Sequence, residues 1–225
     1  MKLLTIIALL IINLNLFSQE CSRFYYLQNN KTIEQTITNG KGVESGKMVY
    51  TITSSEKSGS AVIATIHSEF IDTKGKVITS NNNKIQCVSG VLMMDMKIFI
   101  PAAQQQQIKT GTASANDVYL EYPYDMKVGD KLKDGKVGID YEGSGGLKSS
   151  IEVEITERKV EGKETITTPA GTWECFKIST KNLIDSKVGG VGIPIKLEST
   201  EWFAPGFGVV KTETKTGKTE ITSIN

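Results

Sequence analysis

The sequence predicts an all-β protein with a minor α part, built on a strongly curved antiparallel sheet that forms a half-barrel or open barrel of about a dozen strands. Apolar and polar residues alternate with a period of two along many segments, which is typical of strands with one buried face. Turn signals such as Asn39-Gly40, Asp134-Gly135 and Thr216-Gly217 separate these segments at short intervals. A sheet of roughly a dozen strands cannot stay flat and open, so it must curl, close or split.

Three segments show the alternation most clearly, and each predicts a strand with one wet face. Their apolar members are Met48, Tyr50 and Ile52 in the first, Leu147, Ile151, Val153 and Ile155 in the second, and Ile193, Ile195 and Leu197 in the third. A different pattern occurs at 101–108, where Pro101 precedes two alanines and four consecutive glutamines. Proline followed by good helix formers predicts a short helix or a loop.

Composition limits the function. The chain has 225 residues, of which 39% are hydrophobic and 23% charged, and this suits one ordinary domain. A formal net charge of +1 excludes a strongly basic nucleic-acid binder and an acidic disordered chain. One histidine and three cysteines leave few ligands for zinc and few groups for a histidine-based triad. We therefore expect a protein that is not an enzyme, with no catalytic residues, no metal and no cofactor.

The N-terminus predicts export. Met1-Lys2 precedes an apolar run from Leu3 to Phe17, which is typical of a secretory signal and is short for a membrane span. We assign residues 1–19 to a signal peptide and residues 20–225 to one β-rich domain with no transmembrane segment. The expected location is the periplasm or the exterior of a Gram-negative-type bacterium. Ser18, Gln19 and Glu20 before Cys21 do not match the small residues that a lipid-acceptor cysteine requires.

An oxidising compartment makes one disulfide plausible among the three cysteines, Cys21, Cys87 and Cys175. A bridge from Cys21 to Cys87, or from Cys87 to Cys175, would close a long loop and stabilise the fold by about 4 kcal/mol. The sequence does not choose the pair, and three buried thiols are the alternative.

Two motifs near the C-terminus resemble a known family. Glu201-Trp202-Phe203-Ala204-Pro205-Gly206-Phe207-Gly208 and Thr168-Pro169-Ala170-Gly171-Thr172-Trp173-Glu174-Cys175 resemble segments of the TapB-like family of exported bacterial proteins, which is related to a domain-of-unknown-function group. The resemblance implies a curved antiparallel sheet like that of periplasmic lipoprotein carriers, and it implies no activity. From the residues themselves, both motifs are tight turns between strands, with Trp202 and Phe203 on opposite faces.

Other candidate groups favour structural roles. His67 falls on the wetter face of a predicted strand without an evident nucleophile beside it. Asp125, Asp130 and Asp134 are spaced too widely for a calcium loop and are expected to cap turns. The stretch Gly143-Ser144-Gly145-Gly146 lies between strand patterns, so it predicts a hairpin tip and not a phosphate cradle.

Methionines mark the most apolar part of the mature chain. Met93, Met94, Met96 and Phe99 are either core packing or the lining of a site for an apolar ligand, with Trp202 at its mouth. The sequence thus favours a non-enzymatic binding protein that holds an apolar or lipid-like ligand in a curved sheet. The alternative is an interaction module that docks on envelope or secretion proteins without a small ligand.

Overall fold

The computed structural model describes residue 21 and residues 23–108, 118–142 and 146–225. The predicted signal peptide, residues 1–19, lies outside this part, as do Gly143, Ser144 and Gly145 of the predicted hairpin tip. The described residues form thirteen strands, one α-helix and two short 3-10 helices.

The first strands are β1 (Thr32–Asn39), β2 (Glu44–Ser58), β3 (Ala61–Ile71), β4 (Val77–Val88), β5 (Val91–Asp95) and β6 (Tyr119–Pro123). The remaining strands are β7 (Gly135–Glu142), β8 (Lys148–Thr168), β9 (Gly171–Val188), β10 (Val191–Gly192), β11 (Ile195–Ala204), β12 (Gly208–Thr214) and β13 (Gly217–Ile224). Helix α1 spans Ala102–Ile108, as the proline–alanine–glutamine segment predicts, and the 3-10 helices span Tyr25–Leu27 and Met96–Phe99.

All these strands belong to one antiparallel sheet. Their order across it is β6-β5-β4-β3-β2-β1-β13-β12-β11-β9-β8-β7, and β10 pairs with β9. The sheet curls until its two end strands, β6 and β7, approach each other. It is therefore a nearly closed barrel with one seam that no strand ladder seals within the described residues. The predicted fold class is confirmed.

Alternation predicts most of the buried face correctly in β2 and β8, although Leu147, just before β8, is 52% exposed. Tyr50 and Ile52 are buried in β2, and Ile151, Val153 and Ile155 are buried in β8. The prediction is wrong for the third segment.

There, Ile193 is 84% exposed and Ile195 is 50% exposed. Both lie near the tip of the β9–β11 arm, past the buried part of β11, and are exposed for that reason. Burial in β11 begins only at Ser199.

The N-terminal segment closes one end of the barrel. Phe24 and Tyr26 are fully buried there, and the ring of Phe24 contacts the ring of Phe203. A disulfide joins Cys21 to Cys87 of β4, which selects one of the pairs that the sequence left open. Cys175 remains a buried free thiol. No helix among the described residues combines the length and apolar character needed to span a membrane.

Candidate functional site: a cavity beside a buried charged cluster

A partly open cavity of about 220 Å³ lies against the inner face of the barrel. Strands on both sides of the β1–β13 junction contribute its walls, because β2, β1, β13, β12 and β11 are neighbours in the sheet. Most of its lining is apolar or aromatic, and the main contributors are Tyr26, Ile37, Met48, Tyr50, Met94, Ile98, Phe99 and Val209. Such a lining suits an apolar molecule.

Two charged side chains belong to the cavity wall, Glu201 of β11 and Lys211 of β12. Glu201 is the more deeply buried, at only 5% exposed. Burial raises the pKa of the Glu201 carboxyl above its ordinary value, and the positive charge of Arg158 offsets part of that rise. Tyr122 of β6 donates a hydrogen bond from its hydroxyl to Oε2 of Glu201 at 3.0 Å. The cavity therefore combines an apolar wall with one carboxyl group that can hydrogen-bond a ligand.

Behind Glu201, Arg158 lies at the seam between the two end strands. Glu157 adopts φ of 50° at a bulge in β8, and the next side chain, Arg158, is turned inward and is 1% exposed. Its Nη1 donates to the carbonyl of Glu121 in β6 at 2.9 Å and to the carbonyl of Lys133, just before β7, at 2.7 Å. A side chain thus joins the two edges where no ladder does among the described residues.

Aromatic packing holds this cluster in place. The Arg158 guanidinium lies 4.6 Å from the centroid of the Tyr122 ring, and Tyr122 stacks on Phe203 with 5.1 Å between centroids. Burial, and then the charge of Glu201, raise the pKa of the Tyr122 hydroxyl, so it stays protonated and donates to the carboxyl.

The structure divides the residues predicted from the methionine-rich segment. Met94 and Phe99 line the cavity. Met96 is fully buried, and its sulfur packs against Gly135 of β7. Met93 lies on the opposite face of β5 from Met94, where its sulfur accepts a hydrogen bond from Gln86 at 3.6 Å. The residues of this segment are therefore divided among the core, the cavity wall and the outer face of the sheet.

Trp202 is buried, at 6% exposed, and is not part of the cavity wall. Its indole N–H donates to Glu164 at 2.6 Å, and Lys211 and Lys177 lie over its ring. It borders a wider groove of about 710 Å³ whose other walls are largely charged and polar. That groove lacks the apolar lining expected for the predicted ligand.

The remaining candidates have structural partners. His67 Nδ1 lies 2.8 Å from the side-chain oxygen of Asn82 on the half-exposed face of β3. Asp130 accepts a turn hydrogen bond from the backbone of Lys127, as expected of a capping residue. Across the described residues, no group of three histidine, cysteine or acidic side chains is placed to hold a metal.

Sequence reasoning missed Glu201, Tyr122 and Arg158. Two signals were available for Arg158: it is one of only two arginines in a lysine-rich chain, and it interrupts the alternation of β8. Nothing local distinguishes Glu201 or Tyr122, since their meeting depends on closure of the barrel.

A family model matches residues 28–225, nearly the whole described chain, and it is described as DUF3108-like. The chain belongs to the DUF3108-like family. This assignment agrees with the domain-of-unknown-function group to which the sequence motifs pointed, while the narrower likeness to TapB-like proteins stays a prediction. No curated protein sequence matches this DUF3108-like chain significantly.

Two crystal structures share the fold. A protein from Bacteroides fragilis, described as exported and with a YmcC-like fold, is 21% identical, with a TM-score of 0.72. A protein from Parabacteroides distasonis, described as a lipoprotein, is 18% identical, with a TM-score of 0.74. In each case the match covers 90% of this chain and 98% of the other. At these identities the likeness concerns the fold alone.

Proposed function

We propose that this DUF3108-like protein is an exported, non-enzymatic binding protein that holds a small apolar molecule, or the end of an apolar chain, in the cavity beside Glu201. The observation that carries the proposal is the cavity itself, an apolar space of about 220 Å³ with one buried carboxyl in its wall. A cavity of about 150 Å³ lined by apolar side chains takes up benzene. The space here suits an aromatic ring with a short substituent, or part of an acyl chain.

Export is supported by the signal-like N-terminus and by the descriptions of the two structural neighbours as an exported protein and a lipoprotein. The Cys21–Cys87 disulfide fits an oxidising compartment. Glu201 adds specificity, because a ligand with one N–H or O–H donor can pair with its carboxyl, whereas a pure hydrocarbon leaves the carboxyl without that contact.

The test begins with native mass spectrometry of the protein purified from its exporting host, followed by solvent extraction. A co-purifying apolar molecule near one equivalent is the expected result. In parallel, the ligand-free protein is titrated with N-phenyl-1-naphthylamine, an apolar probe with one N–H donor that fluoresces when it leaves water. A clean apo mass together with no rise in probe fluorescence would overturn the proposal.

A matched pair of variants locates the binding. Val209→Trp fills the cavity from β12 and should reduce probe affinity at least tenfold. Val49→Trp makes the same substitution at a half-buried position of β2 that is absent from the cavity wall, and it should leave affinity unchanged. Equal probe affinity in both variants would place the probe outside the cavity. A protein partner captured without any ligand would favour the interaction module instead.

A further inference from the structure

The two ends of the barrel differ in their exposed side chains. Antiparallel pairing places the β1–β2, β3–β4, β7–β8, β9–β11 and β12–β13 connections at one end, since Asn39 pairs with Gly217, Lys47 with Ile71, and Thr214 with Ser199. The described hairpin loops there are residues 40–43, 72–76, 146–147, 189–194 and 215–216. The β5–β6 connection, described over residues 96–108, also leaves β5 toward this end and is not counted among the hairpin loops. We call this the lysine end.

Apolar exposure is concentrated at the lysine end. Eight large apolar side chains are exposed among the described residues, and seven of them lie on or beside these loops: Val43, Val77, Leu147, Val188, Val191, Ile193 and Ile195. Exposure is greatest at the tip of the longest arm, where Val191 is 78% and Ile193 is 84% exposed. Singly scattered apolar residues need no explanation, but seven of eight on one end of a barrel mark an interaction surface.

The loops of the lysine end are also net positive. The described hairpin loops of the lysine end contain four lysines, Lys41, Lys74, Lys76 and Lys215, and one acid, Asp72. Asp72 is occupied locally, because its Oδ1 accepts hydrogen bonds from the backbone of Lys74 and Lys76. At the opposite end, the long loop 124–134 carries three lysines and three aspartates, and the shorter loops 59–60, 89–90, 169–170 and 205–207 carry no charge. The N-terminal segment adds Arg23 and Lys31 to that opposite end, where Tyr25 hydrogen-bonds Gly206. The lysine end is therefore distinguished by the coincidence of net positive loops with exposed apolar tips.

The geometry points to an anionic lipid bilayer as the partner of the lysine end. The exposed side chains lie on several separate hairpin tips around one end of the barrel. Residues spread in this way can contact a broad surface together, whereas a single peptide would contact only some of them. In the β9–β11 arm, positive φ at both Gly189 (59°) and Gly190 (82°) makes the tight turn that presents Val191. Apolar tips enter the interfacial region while lysines remain at the level of the phosphates.

Each lysine near an anionic membrane surface strengthens binding about fivefold at low salt, and screening removes this gain as salt rises. The two most exposed side chains, Val191 and Ile193, add the apolar contribution. The double variant Val191→Ser/Ile193→Ser should therefore lower the membrane partition coefficient at least tenfold. Both positions are exposed, so the fold should be unaffected.

The experiment is co-sedimentation of the exported protein with vesicles of equal parts phosphatidylglycerol and phosphatidylcholine, and separately of phosphatidylcholine alone. We expect sedimentation with the anionic vesicles, less with the neutral ones, and release at high salt. Lys41→Glu/Lys215→Glu should weaken binding about as much as the serine pair. The controls are Val128→Ser and Lys131→Glu on the opposite loop, where Val128 is 56% exposed, and neither should change binding.

A second readout reports contact of the tip itself, whatever else tethers the chain. Ile193→Trp places a fluorophore at the tip. Its emission should shift to the blue when the indole enters the bilayer, and brominated lipids should quench it. An unquenched indole signal from the Ile193→Trp variant, or serine variants that bind as tightly as the Val128→Ser control, would overturn the proposal. Failure of the protein to sediment with anionic vesicles would also overturn the proposal. Binding to a soluble acidic polymer without binding to vesicles would indicate that polymer as the partner instead.

Discussion

Removing the buried side chain that hydrogen-bonds both edges of the seam should destabilise the barrel strongly. Arg158→Ala deletes two hydrogen bonds from a charged donor to the carbonyls of Glu121 and Lys133. It also leaves the buried carboxyl of Glu201 without its positive neighbour. Hydrogen bonds to charged groups contribute about 1.5–3 kcal/mol each. We therefore expect a loss of about 4 kcal/mol in the free energy of unfolding.

Equilibrium unfolding in urea measures this loss, with Lys159→Ala as the matched control. Lys159 is adjacent in sequence but half exposed, and its ion pair with Glu161 lies at the surface. Surface pairs contribute about 0–1 kcal/mol, so the control should change little. Hydrogen exchange should also accelerate in β6 and β7 of Arg158→Ala before the rest of the sheet. A loss below about 1 kcal/mol, or one equal to the control, would refute the assigned role.

Four further predictions concern the disulfide, the free thiol of Cys175, Glu201 and a glycine. Cys87→Ala should lower the free energy of unfolding by about 4 kcal/mol through loss of the 66-residue loop closure. Thiol titration of the wild type should detect Cys175 only after unfolding, because burial raises its pKa to about 12. Burial raises the pKa of Glu201 above its ordinary value of 4.5, so the native state binds that proton more tightly than the unfolded state does. The free energy of unfolding of the wild type should therefore fall as pH rises above about 4.5. Urea midpoints of Glu201→Gln measured across this range should lack that decline. Gly208→Ala should lower the free energy of unfolding by about 2–4 kcal/mol, because φ is 136° and a Cβ would lie 2.8 Å from the Tyr26 ring. The control Gly42→Ala, which has open space around it, should lower it by about 1 kcal/mol. Thermal melting measures both losses.

Period-two alternation was sufficient to predict the architecture because it reports which residues share a face of a strand. Tyr50 and Ile151 show this directly, as both are buried on the inner face. Alternation does not report whether anything covers that face. Ile193 and Ile195 continue the pattern past the end of the core and are exposed for that reason.

The candidate site was only partly predictable for a different reason. Composition drew attention to Met94 and Phe99, which do line the cavity. Glu201 and Tyr122 are 79 positions apart in the chain, and they meet only after β11 and β6 have taken their places around the barrel. No local pattern encodes a contact of that kind.

The burial of Arg158 requires a reason beyond stability. Replacing buried charged groups by apolar side chains of similar size is often neutral or stabilising, so the burial of a charge is weak evidence of a stabilising role. What an apolar side chain cannot do is donate to the carbonyls of Glu121 and Lys133 together. A guanidinium presents several N–H donors in a fixed plane, and here two strand edges come close without forming a ladder within the described residues. Arg158 therefore links the two edges of the seam. Its guanidinium also packs on the Tyr122 ring, and the Tyr122 hydroxyl donates to Glu201, so the seam is connected through Tyr122 to the carboxyl in the cavity wall.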